Sequence, residues 1–354
     1  MTEGESSPTT AGYSQQDLER QLAITRAAAQ RLVAELTEAR RLTRDWADAK
    51  LTDTLVDAAL SGCLNQLAET KCWGEANQLP SSELWRIAGP LLELGTLQRH
   101  ARLKPRGYAG DYQMLHWICT GYCCDHPLGG AFDRYFQRQA APQAVRFRTE
   151  QTAAALVAHC LQADAASYHV LSVGAGSADD ICQALALLPE DHRGRLRVTL
   201  LDLDPEALEF ALQRVQAFLP SHAIRGVREN LYRLPRRARP EKILRTPDFL
   251  ICLGLFDYLD DETAKEMLHL FWRQLDDCGL VVVGNFAPQN PTRAYMEWVG
   301  NWYLKYRTAE ELQRLGVQAG IPGDQFSVGS EPLGVDLVLI GKKQARTADQ
   351  EGGS

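Results

Sequence analysis

The sequence predicts an α/β protein with a mostly parallel sheet, a closing antiparallel hairpin and an all-helical domain in front of it. Three observations support this fold class. Apolar residues recur at helical spacing through roughly the first 140 positions, without a convincing alternating strand. After Ala165, short apolar runs alternate with helical segments, which indicates right-handed crossovers between parallel strands. Near the end, two short strands flank a Pro-Leu-Gly turn, as in a hairpin.

The helical pattern begins at Ser14, which together with Asp17 resembles a capping box. Leucine, isoleucine and alanine residues then recur every three or four positions up to Leu42. Similar periodicity predicts further helices over 51–68, 81–97 and 143–162.

These patterns give an expected domain organisation. We expect a helical domain over 14–140, with a lid segment near 104–115, and a sheet domain over 141–343. The end segments are small and polar, so they cannot bury enough apolar surface to become ordered. We therefore predict disordered tails at 1–13 and 344–354.

The strands of the sheet domain are predicted from apolar runs that end in glycine, aspartate or asparagine turns. The predicted strands are Tyr168–Val173, Arg197–Leu201, Ala223–Val227, Asp248–Leu253, Leu280–Gly284, Phe326–Gly329 and Val335–Ile340. No internal repeat is visible.

The composition is that of a globular chain: 354 residues, 45% hydrophobic and 23% charged. No apolar stretch is long enough to span a membrane, and the N-terminus lacks the pattern of a signal peptide. Nine scattered cysteines fit a reducing compartment better than a disulfide framework, so we expect a cytoplasmic protein. The net charge of −7 disfavours nucleic acid as a partner, and we interpret the basic run over 233–245 as a solvated connection.

The strongest candidate site follows the first predicted strand, where Val173 leads into a turn of small residues. Glycines at 174 and 176 allow a ligand to approach the backbone, and the helix that follows offers free amide donors. A dinucleotide fingerprint requires a third glycine where Asp179 stands, and a carboxylate there opposes a pyrophosphate. A cofactor with an amino group and a sulfonium fits better. The candidate cofactor-binding residues of this turn are Gly174, Ala175, Gly176, Ser177 and Asp179.

A second candidate site lies at the end of the second strand, where Asp202 and Leu203 precede Asp204 and Pro205. A carboxylate at this strand end can accept hydrogen bonds from both ribose hydroxyls of an adenosine, and Asp202 is the candidate. Asp204 before a proline is typical of a helix N-cap. The alternative assigns both aspartates to capping.

Two further strand ends carry candidates. Asn230, followed by Leu231, could pair its amide with adenine, or it could be an ordinary turn asparagine. After the fourth strand, Gly254 and Phe256 are candidates for contact with the cofactor, because ligands of open α/β sheets bind beyond the strand ends. Neighbouring Asp257 and Tyr258 would face the substrate, and the alternative for this stretch is a helix cap with core aromatics.

With these motifs together, the chain resembles a Rossmann-like class I methyltransferase dependent on S-adenosyl-L-methionine. In detail it is similar to a bacterial group described as 3-hydroxypalmitic acid methyl ester biosynthesis proteins. Three more stretches carry this resemblance: 106–112 (RGYAGDY), 284–286 (GNF) and 301–307 (NWYLKYR). The sequence departs from the broader pattern at Ser172, where many members have an acidic residue, and at Ala178, which replaces a glycine. Asp179 or Asp180 could compensate for the missing acid.

The resemblance implies methyl transfer to a small molecule, first of all to the carboxylate of a fatty-acid-like or amino-acid-like metabolite. A carboxylate is already ionised near neutral pH, so such an acceptor needs cationic and hydrogen-bonding residues and no general base. If the acceptor were a hydroxyl or an amine, Asp257 would be the candidate base. We expect catalytic roles for Tyr108, Asp257, Tyr303 and Arg307, and substrate-binding roles for Arg106, Tyr112, Tyr258, Asn285 and Trp302.

Several alternatives stay open at this stage. The segment with Arg106 and Tyr108 could be a linker packed by its tyrosines instead of a lid. The protein could methylate a nitrogen or oxygen of another metabolite, or it could be a non-catalytic binding protein that keeps the fold. We expect no metal, since Cys119, Cys123 and Cys124 with His126 lack a second paired-cysteine element. The oligomeric state is open, with a homodimer as one alternative.

Overall fold

The computed structural model describes residues 15–345, which form two compact units. The helical unit comprises 15–109, 122–139 and 292–303, and the sheet unit comprises 110–121, 140–291 and 304–345. The predicted tails lie outside the described residues, except for positions 344 and 345. Among residues 15–345, no helix is both long and apolar enough to cross a membrane.

The described residues contain thirteen α-helices and seven strands. The helices are α1 (Gln15–Leu42), α2 (Ala49–Ala68), α3 (Gln78–Leu92), α4 (Thr96–Leu103), α5 (Tyr112–Thr120), α6 (Pro127–Gln137), α7 (Ala140–Gln162), α8 (Asp179–Leu187), α9 (Glu190–Arg193), α10 (Pro205–Gln216), α11 (Glu241–Leu244), α12 (Asp261–Gln274) and α13 (Ala309–Gln318). The strands are β1 (Tyr168–Val173), β2 (Leu196–Asp202), β3 (Ile224–Arg228), β4 (Phe249–Cys252), β5 (Leu280–Phe286), β6 (Phe326–Ser330) and β7 (Asp336–Lys342).

The helix predicted over 81–97 is two helices in the structure, α3 and α4. The backbone of Gly95 is extended, with ψ of 124°, which ends the helical path and starts a new helix. The buried carboxylate of Asp133 then accepts from the Leu97 N–H at 2.9 Å and satisfies one of the free donors of the α4 N-terminus. The continuous apolar periodicity of this stretch concealed the break.

Residues 292–303 belong to the helical unit although they follow β5 in the chain. Their π-helical turn, Tyr295–Val299, packs its aromatic side chains among the N-terminal helices. The Tyr295 ring stacks on Phe136 with centroids 4.9 Å apart, and the Trp298 carbonyl accepts from the Ser81 hydroxyl at 2.9 Å. The sequence predicted one boundary near residue 140, whereas the two units alternate along the chain because these aromatics are buried by α3 and α6.

The sheet has the strand order β3-β2-β1-β4-β5-β7-β6. Neighbouring strands among β1 to β5 are parallel, and β7 lies antiparallel between β5 and β6. All seven predicted strands are therefore confirmed, with ends that agree to within two residues. The predicted fold class, a mostly parallel sheet with a closing antiparallel hairpin, is also confirmed.

The central strands are buried on both faces, which explains their continuous apolar runs. Leu171 and Leu250 enter one core cluster, while their neighbours Val170 and Phe249 enter the other. Each strand thus supplies side chains alternately to two helical layers. At one edge of the sheet, β7 and β6 form the closing antiparallel hairpin.

The β1–β4 pair is where the strand order reverses. β2 and β3 extend the sheet on one side of β1, and β4 and β5 extend it on the other. The connections that leave the carboxyl ends of β1 and β4 therefore turn to opposite sides, and a crevice opens between them. This crevice contains the candidate site.

We predict that Gly284→Ala destabilises the protein. A Cβ at this position of β5 would lie 2.7 Å from the carbonyl oxygen of Leu253, so the backbone at the end of β4 would have to move. Overpacking of this kind costs about 1–3 kcal/mol, and urea unfolding should show a lower midpoint. The matched control is Gly329→Ala in β6, where an added Cβ meets no atom within 4 Å. Equal midpoints for both variants would contradict the expected close approach.

Candidate functional site

An open cleft lies over the carboxyl ends of β1 and β4, within the sheet unit. It has about 490 Å³ of empty space when the open solvent at its mouth is included. Helices α5 and α7 form the wall that faces the strand ends. The lining residues are Leu115, Cys119, Val145, Arg148, Thr149, Ser172, Gly174, Ala175, Gly176, Ser177, Ala178, Asp179, Asp180, Ile251, Leu253 and Gly254.

The predicted glycine turn forms the floor of this cleft. Gly174 and Gly176 have φ of +68° and +51°, in the left-handed region that glycine adopts without strain. Ala178, which replaces the third glycine, also has a positive φ of 52°. A Cβ added to Gly174 would be in van der Waals contact with Leu231 at 3.7 Å, and one added to Gly176 would be in contact with Tyr112 at 3.8 Å. Gly174 itself is exposed and Gly176 is half-buried, so the backbone of the turn is accessible to a ligand.

Asp202 attaches this turn to the end of β2. One carboxylate oxygen accepts from the Gly176 N–H at 2.9 Å, and the other accepts from the Asp204 N–H at 3.0 Å. Burial raises the pKa of Asp202, and these backbone hydrogen bonds oppose that rise. Each carboxylate oxygen can accept more than one hydrogen bond. The side chain can therefore hold the turn and still accept from a ligand's hydroxyls. Asp204 caps α10, as predicted, by accepting from the Glu206 N–H.

Asn230, at the end of β3, has an unsatisfied side chain. Its Oδ1 atom is buried and has no hydrogen-bond partner among residues 15–345. A buried acceptor without a partner is costly, so it indicates a donor supplied by a ligand or by water. Leu231 follows it and lies next to Gly174. Leu203 and Leu231 are both predicted to bind the cofactor; Leu203 is 50% exposed, whereas Leu231 is 6% exposed.

Asp179 lines the cleft, but its carboxylate is engaged by protein groups. It accepts from the Arg214 guanidinium at 2.7 Å and from the Ser177 hydroxyl at 2.5 Å. The His116 ring of α5 lies 3.2 Å away, and that ring packs edge-on against Phe210. Asp179 thus joins α5, α8 and α10, and its predicted role in cofactor binding stays a prediction. His116 carried no sequence signal, because its partner is 63 positions away.

Asp180 is the carboxylate that stays without an ion-pair partner in the cleft. It is only 8% exposed, and among the described residues its single hydrogen bond comes from the N–H of Ile181. Burial raises its pKa to about 6. The sequence offered Asp179 or Asp180 as a replacement for the acid missing at Ser172. The geometry favours Asp180, since Asp179 is occupied.

Arg148, in α7, was not among the predicted site residues. It lines the cleft, is 3% exposed, and donates from Nη1 to the Asp336 carboxylate at 2.5 Å. Gly254 leaves room for it, since a Cβ there would lie 3.8 Å from Arg148 Nη2. A signal did exist in the sequence: Arg148 occupies a buried position of α7 one turn after Ala144 and Val145. An arginine on an apolar helix face is costly to bury and therefore indicates a buried partner.

Beyond β4 and β5, three predicted residues form a buried network. Asp257 accepts from the Phe286 N–H at 2.7 Å and from the Asn285 amide at 3.1 Å. Arg307, predicted to be catalytic, directs all its donors at protein acceptors, which include Asn285 Oδ1, Asp261 and two backbone carbonyls. Arg307 and Asn285 thus fix the loops after β4 and β5, while the catalytic role predicted for Arg307 and the substrate-binding role predicted for Asn285 stay predictions. Burial raises the pKa of Asp257, and Arg148 and Arg307 lower it in part.

Phe256 requires correction. Its ring is fully buried in the core, 6.4 Å from the ring of Phe271, so it is not available to a cofactor. The sequence could not distinguish the two faces of the short 3-10 turn Phe256–Tyr258. Tyr258 is half-buried.

The remaining predicted residues divide between the units. Tyr112 begins α5 in the sheet unit, beside Gly176, and packs against Phe210 with centroids 5.2 Å apart. Arg106, Tyr108, Trp302 and Tyr303 belong to the helical unit. There Trp302 is buried, and Lys104 lies over the Tyr303 ring at 5.8 Å. Their roles in substrate binding and catalysis stay predictions.

The chain was compared with known proteins. No protein-family model matches the sequence, and no curated protein does. Among solved structures it is similar to a possible exported protein from Bordetella parapertussis, with 18% identity over 96% of this chain and 99% of that chain and a TM-score of 0.56. It also matches the CurJ carbon methyltransferase, with 13% identity over 93% of this chain and 92% of that chain and a TM-score of 0.49.

A third match is the magnesium protoporphyrin IX methyltransferase of Synechocystis PCC 6803 with bound SAH, with 14% identity over 58% of this chain and 88% of that one and a TM-score of 0.41. At such identities similarity concerns the fold alone. The strand order with β7 antiparallel between β5 and β6 is that of a class I methyltransferase. The chain therefore has the class I methyltransferase fold.

We predict that Asp180→Asn stabilises the protein near pH 7.5 in the absence of ligand. The pKa of Asp180 in the folded state, about 6, lies above its ordinary value of 3.8. The protonated carboxyl of Asp180 therefore contributes to the free energy of unfolding in full below pH 4, and this contribution is lost as the pH rises through 6. The gain for the variant is at most about 3 kcal/mol, and thermal unfolding between pH 5 and 8 would measure it. Asp164→Asn, at an exposed position, is the control. A gain that does not change with pH would contradict this account.

Proposed function

We propose that the protein is an S-adenosyl-L-methionine-dependent methyltransferase that acts on a small molecule. The single observation that carries this proposal is the glycine turn tied to Asp202, which lies beside Leu231, the residue that follows Asn230 and its unsatisfied Oδ1. These groups suit an adenosine: hydroxyl donors for the carboxylate, an amino donor for the amide oxygen, and an apolar base edge beside Leu231 and Leu203.

A nicotinamide dinucleotide fits the same cleft poorly. Asp180 is unpaired among the described residues, lines the cleft at the N-terminus of α8, and would repel a pyrophosphate. A cofactor with cationic groups is favoured there instead. The methyl donor carries both an ammonium and a sulfonium.

When bound, the donor would supply an electrophilic methyl group to an oxygen or nitrogen of the acceptor, and it would leave as the neutral thioether with the electron pair of the broken carbon–sulfur bond. The protein's task is alignment and exclusion of water, since no covalent residue is needed. In this chain the strand ends and α5 would position the donor, and Tyr112 and Tyr258 are suitable to contact the acceptor.

For the acceptor we propose first a carboxylate of a fatty-acid-like or amino-acid-like metabolite. This choice rests on the resemblance to the 3-hydroxypalmitic acid methyl ester group and on the residue types at Arg106, Tyr108 and Tyr303. Arg307 no longer supports it, because its donors are occupied. A hydroxyl or amine acceptor is the second candidate, and Asp257 would then be the candidate base.

We place this activity in the cytoplasm. All nine cysteines are free thiols in the structure, which suits a reducing compartment. Nucleic acid remains a disfavoured partner, since Arg236 and Arg237 of the basic run pair with Glu266 and Glu229.

The chemical class of the acceptor can be tested with a donor that carries a tritiated methyl group. Pooled carboxylic acids and pooled alcohols and amines would be incubated separately with the protein, and the products then treated with alkali. Methyl esters hydrolyse and release volatile tritiated methanol, whereas methyl ethers and methylamines do not. We expect volatile label from the acid pool. Alkali-stable label would show that the acceptor group is a hydroxyl or an amine and not a carboxylate. Binding of the donor without methyl transfer to any pool would favour a non-catalytic protein.

Asp202→Ala should weaken binding of S-adenosylhomocysteine by at least about tenfold, because a carboxylate that accepts from two hydroxyls is lost. Isothermal titration would measure this. The matched control is Asp204→Ala, two positions away, which removes the cap of α10 and leaves the cleft intact. Equal affinities for the wild type and Asp202→Ala would remove Asp202 from the site.

A further inference from the structure

Two side chains of opposite charge in the cleft are not accounted for by an adenosine. Asp180 and Arg148 line the same cavity as the glycine turn, together with the polar groups of Ser172 and Thr149. Both charged residues are more than nine-tenths buried. Because burying a charge without a partner is costly, we expect each of these two residues to bind a group of opposite charge.

Asp180 forms no salt bridge within residues 15–345, and Arg214 and His116 are engaged by Asp179. The more distant charge of Arg148 lowers the pKa of Asp180 and does not offset the rise caused by burial. The N–H of Ile181 satisfies one oxygen only in part. The carboxylate therefore lacks a donor that an ammonium group could supply.

Two residues, Asp336 and Phe286, hold the Arg148 guanidinium in place. Asp336, which is completely buried, accepts from Nη1, and the guanidinium lies over the Phe286 ring at 5.6 Å. Among the described residues, the Asp336 carboxylate is the only hydrogen-bond acceptor of this guanidinium. An arginine has five N–H donors in a planar fork, so Arg148 retains donors suited to a carboxylate.

We propose that Asp180 and Arg148 form a subsite for a zwitterion and hold the amino-acid end of the methyl donor. Asp180 accepts from the α-ammonium, and Arg148 donates to the α-carboxylate. This inference rests on the proposed function. It also accounts for Ser172: the acid that many class I methyltransferases have at the end of β1 is supplied here from the first turn of α8.

The opposite charges exclude simpler ligands. An anion alone would be attracted by Arg148 and repelled by Asp180, and a cation alone would meet the reverse. A free α-amino acid would satisfy both groups, but it would leave the Asn230 and Asp202 acceptors unused. The donor's methionine part, joined to adenosine, satisfies both halves of the cleft.

The test compares two ligands that share the adenosine thioether and differ in the amino-acid end. S-adenosylhomocysteine has this end, and 5′-methylthioadenosine lacks it. Titration calorimetry would measure both ligands against the wild type, Asp180→Asn, and the double variant Arg148→Gln/Asp336→Asn. The double variant avoids an unpaired Asp336, which could unfold the protein. Arg146→Gln is the control, on the same helix but outside the cleft wall.

We expect the Asp180 and Arg148 variants to bind S-adenosylhomocysteine at least about tenfold more weakly than the wild type, since each loses a charge-assisted hydrogen bond. Binding of 5′-methylthioadenosine should change less than about twofold, which also shows that the variants are folded. Equal losses for both ligands, no loss for either, or equal wild-type affinities for the two ligands would overturn the subsite. A wild-type protein that binds neither ligand would instead overturn the proposed function.

Discussion

The reversal of strand order between β1 and β4 is the constraint on which the site depends. Right-handed connections leave these two strands toward opposite sides, so the carboxyl ends of β1 and β4 have no backbone crossing above them. The glycine turn after β1 and Gly254 after β4 face this opening. Asp202 then fixes the turn from the neighbouring strand with two hydrogen bonds to backbone amides. The floor of the cleft is thus built by backbone that the Asp202 carboxylate holds in place.

Several buried charged residues lie in or close to this cleft. Arg148, Asp336, Asp257 and Asp180 are all almost inaccessible, and burial raises the pKa of each of the three carboxyl groups. Arg148 compensates Asp336 directly, whereas Asp180 has no such partner among the described residues. A fold optimised for stability alone would replace an uncompensated carboxylate. Its presence beside a bare glycine turn is the pattern expected where stability is reduced to gain affinity for a cationic group.

In the loops after β4 and β5, by contrast with Asp180, the buried polar groups are paired with one another. Asp257, Asn285 and Arg307 satisfy one another and the surrounding carbonyls, so their polar atoms stabilise the loops and leave few donors for a substrate. Chemically versatile side chains at a strand end can therefore serve the fold. Tyr258 and Tyr112 are half-buried, and their contact with an acceptor stays a prediction.

The sequence alone determined the sheet, the strand boundaries and the positions of the glycine turn, Asp202 and Asn230. These features depend on local patterns: apolar runs of strand length, glycine at left-handed positions, and polar residues directly after strands. It also located the first three helices approximately. The break between α3 and α4 was missed because a helical stretch and two shorter helices share one apolar periodicity.

Only the tertiary structure decided which charged residues meet. Arg148 and Asp336 are 188 positions apart, and His116 and Asp179 are 63 apart, so no spacing rule could pair them. The same limit applied to Arg307, whose residue type suits a carboxylate substrate and whose partners are protein groups. Residue type sets what a side chain can bind. Its partners are set by packing of elements distant in the chain, and that packing assigned Arg307 to the fold and left Asp180 facing the cleft.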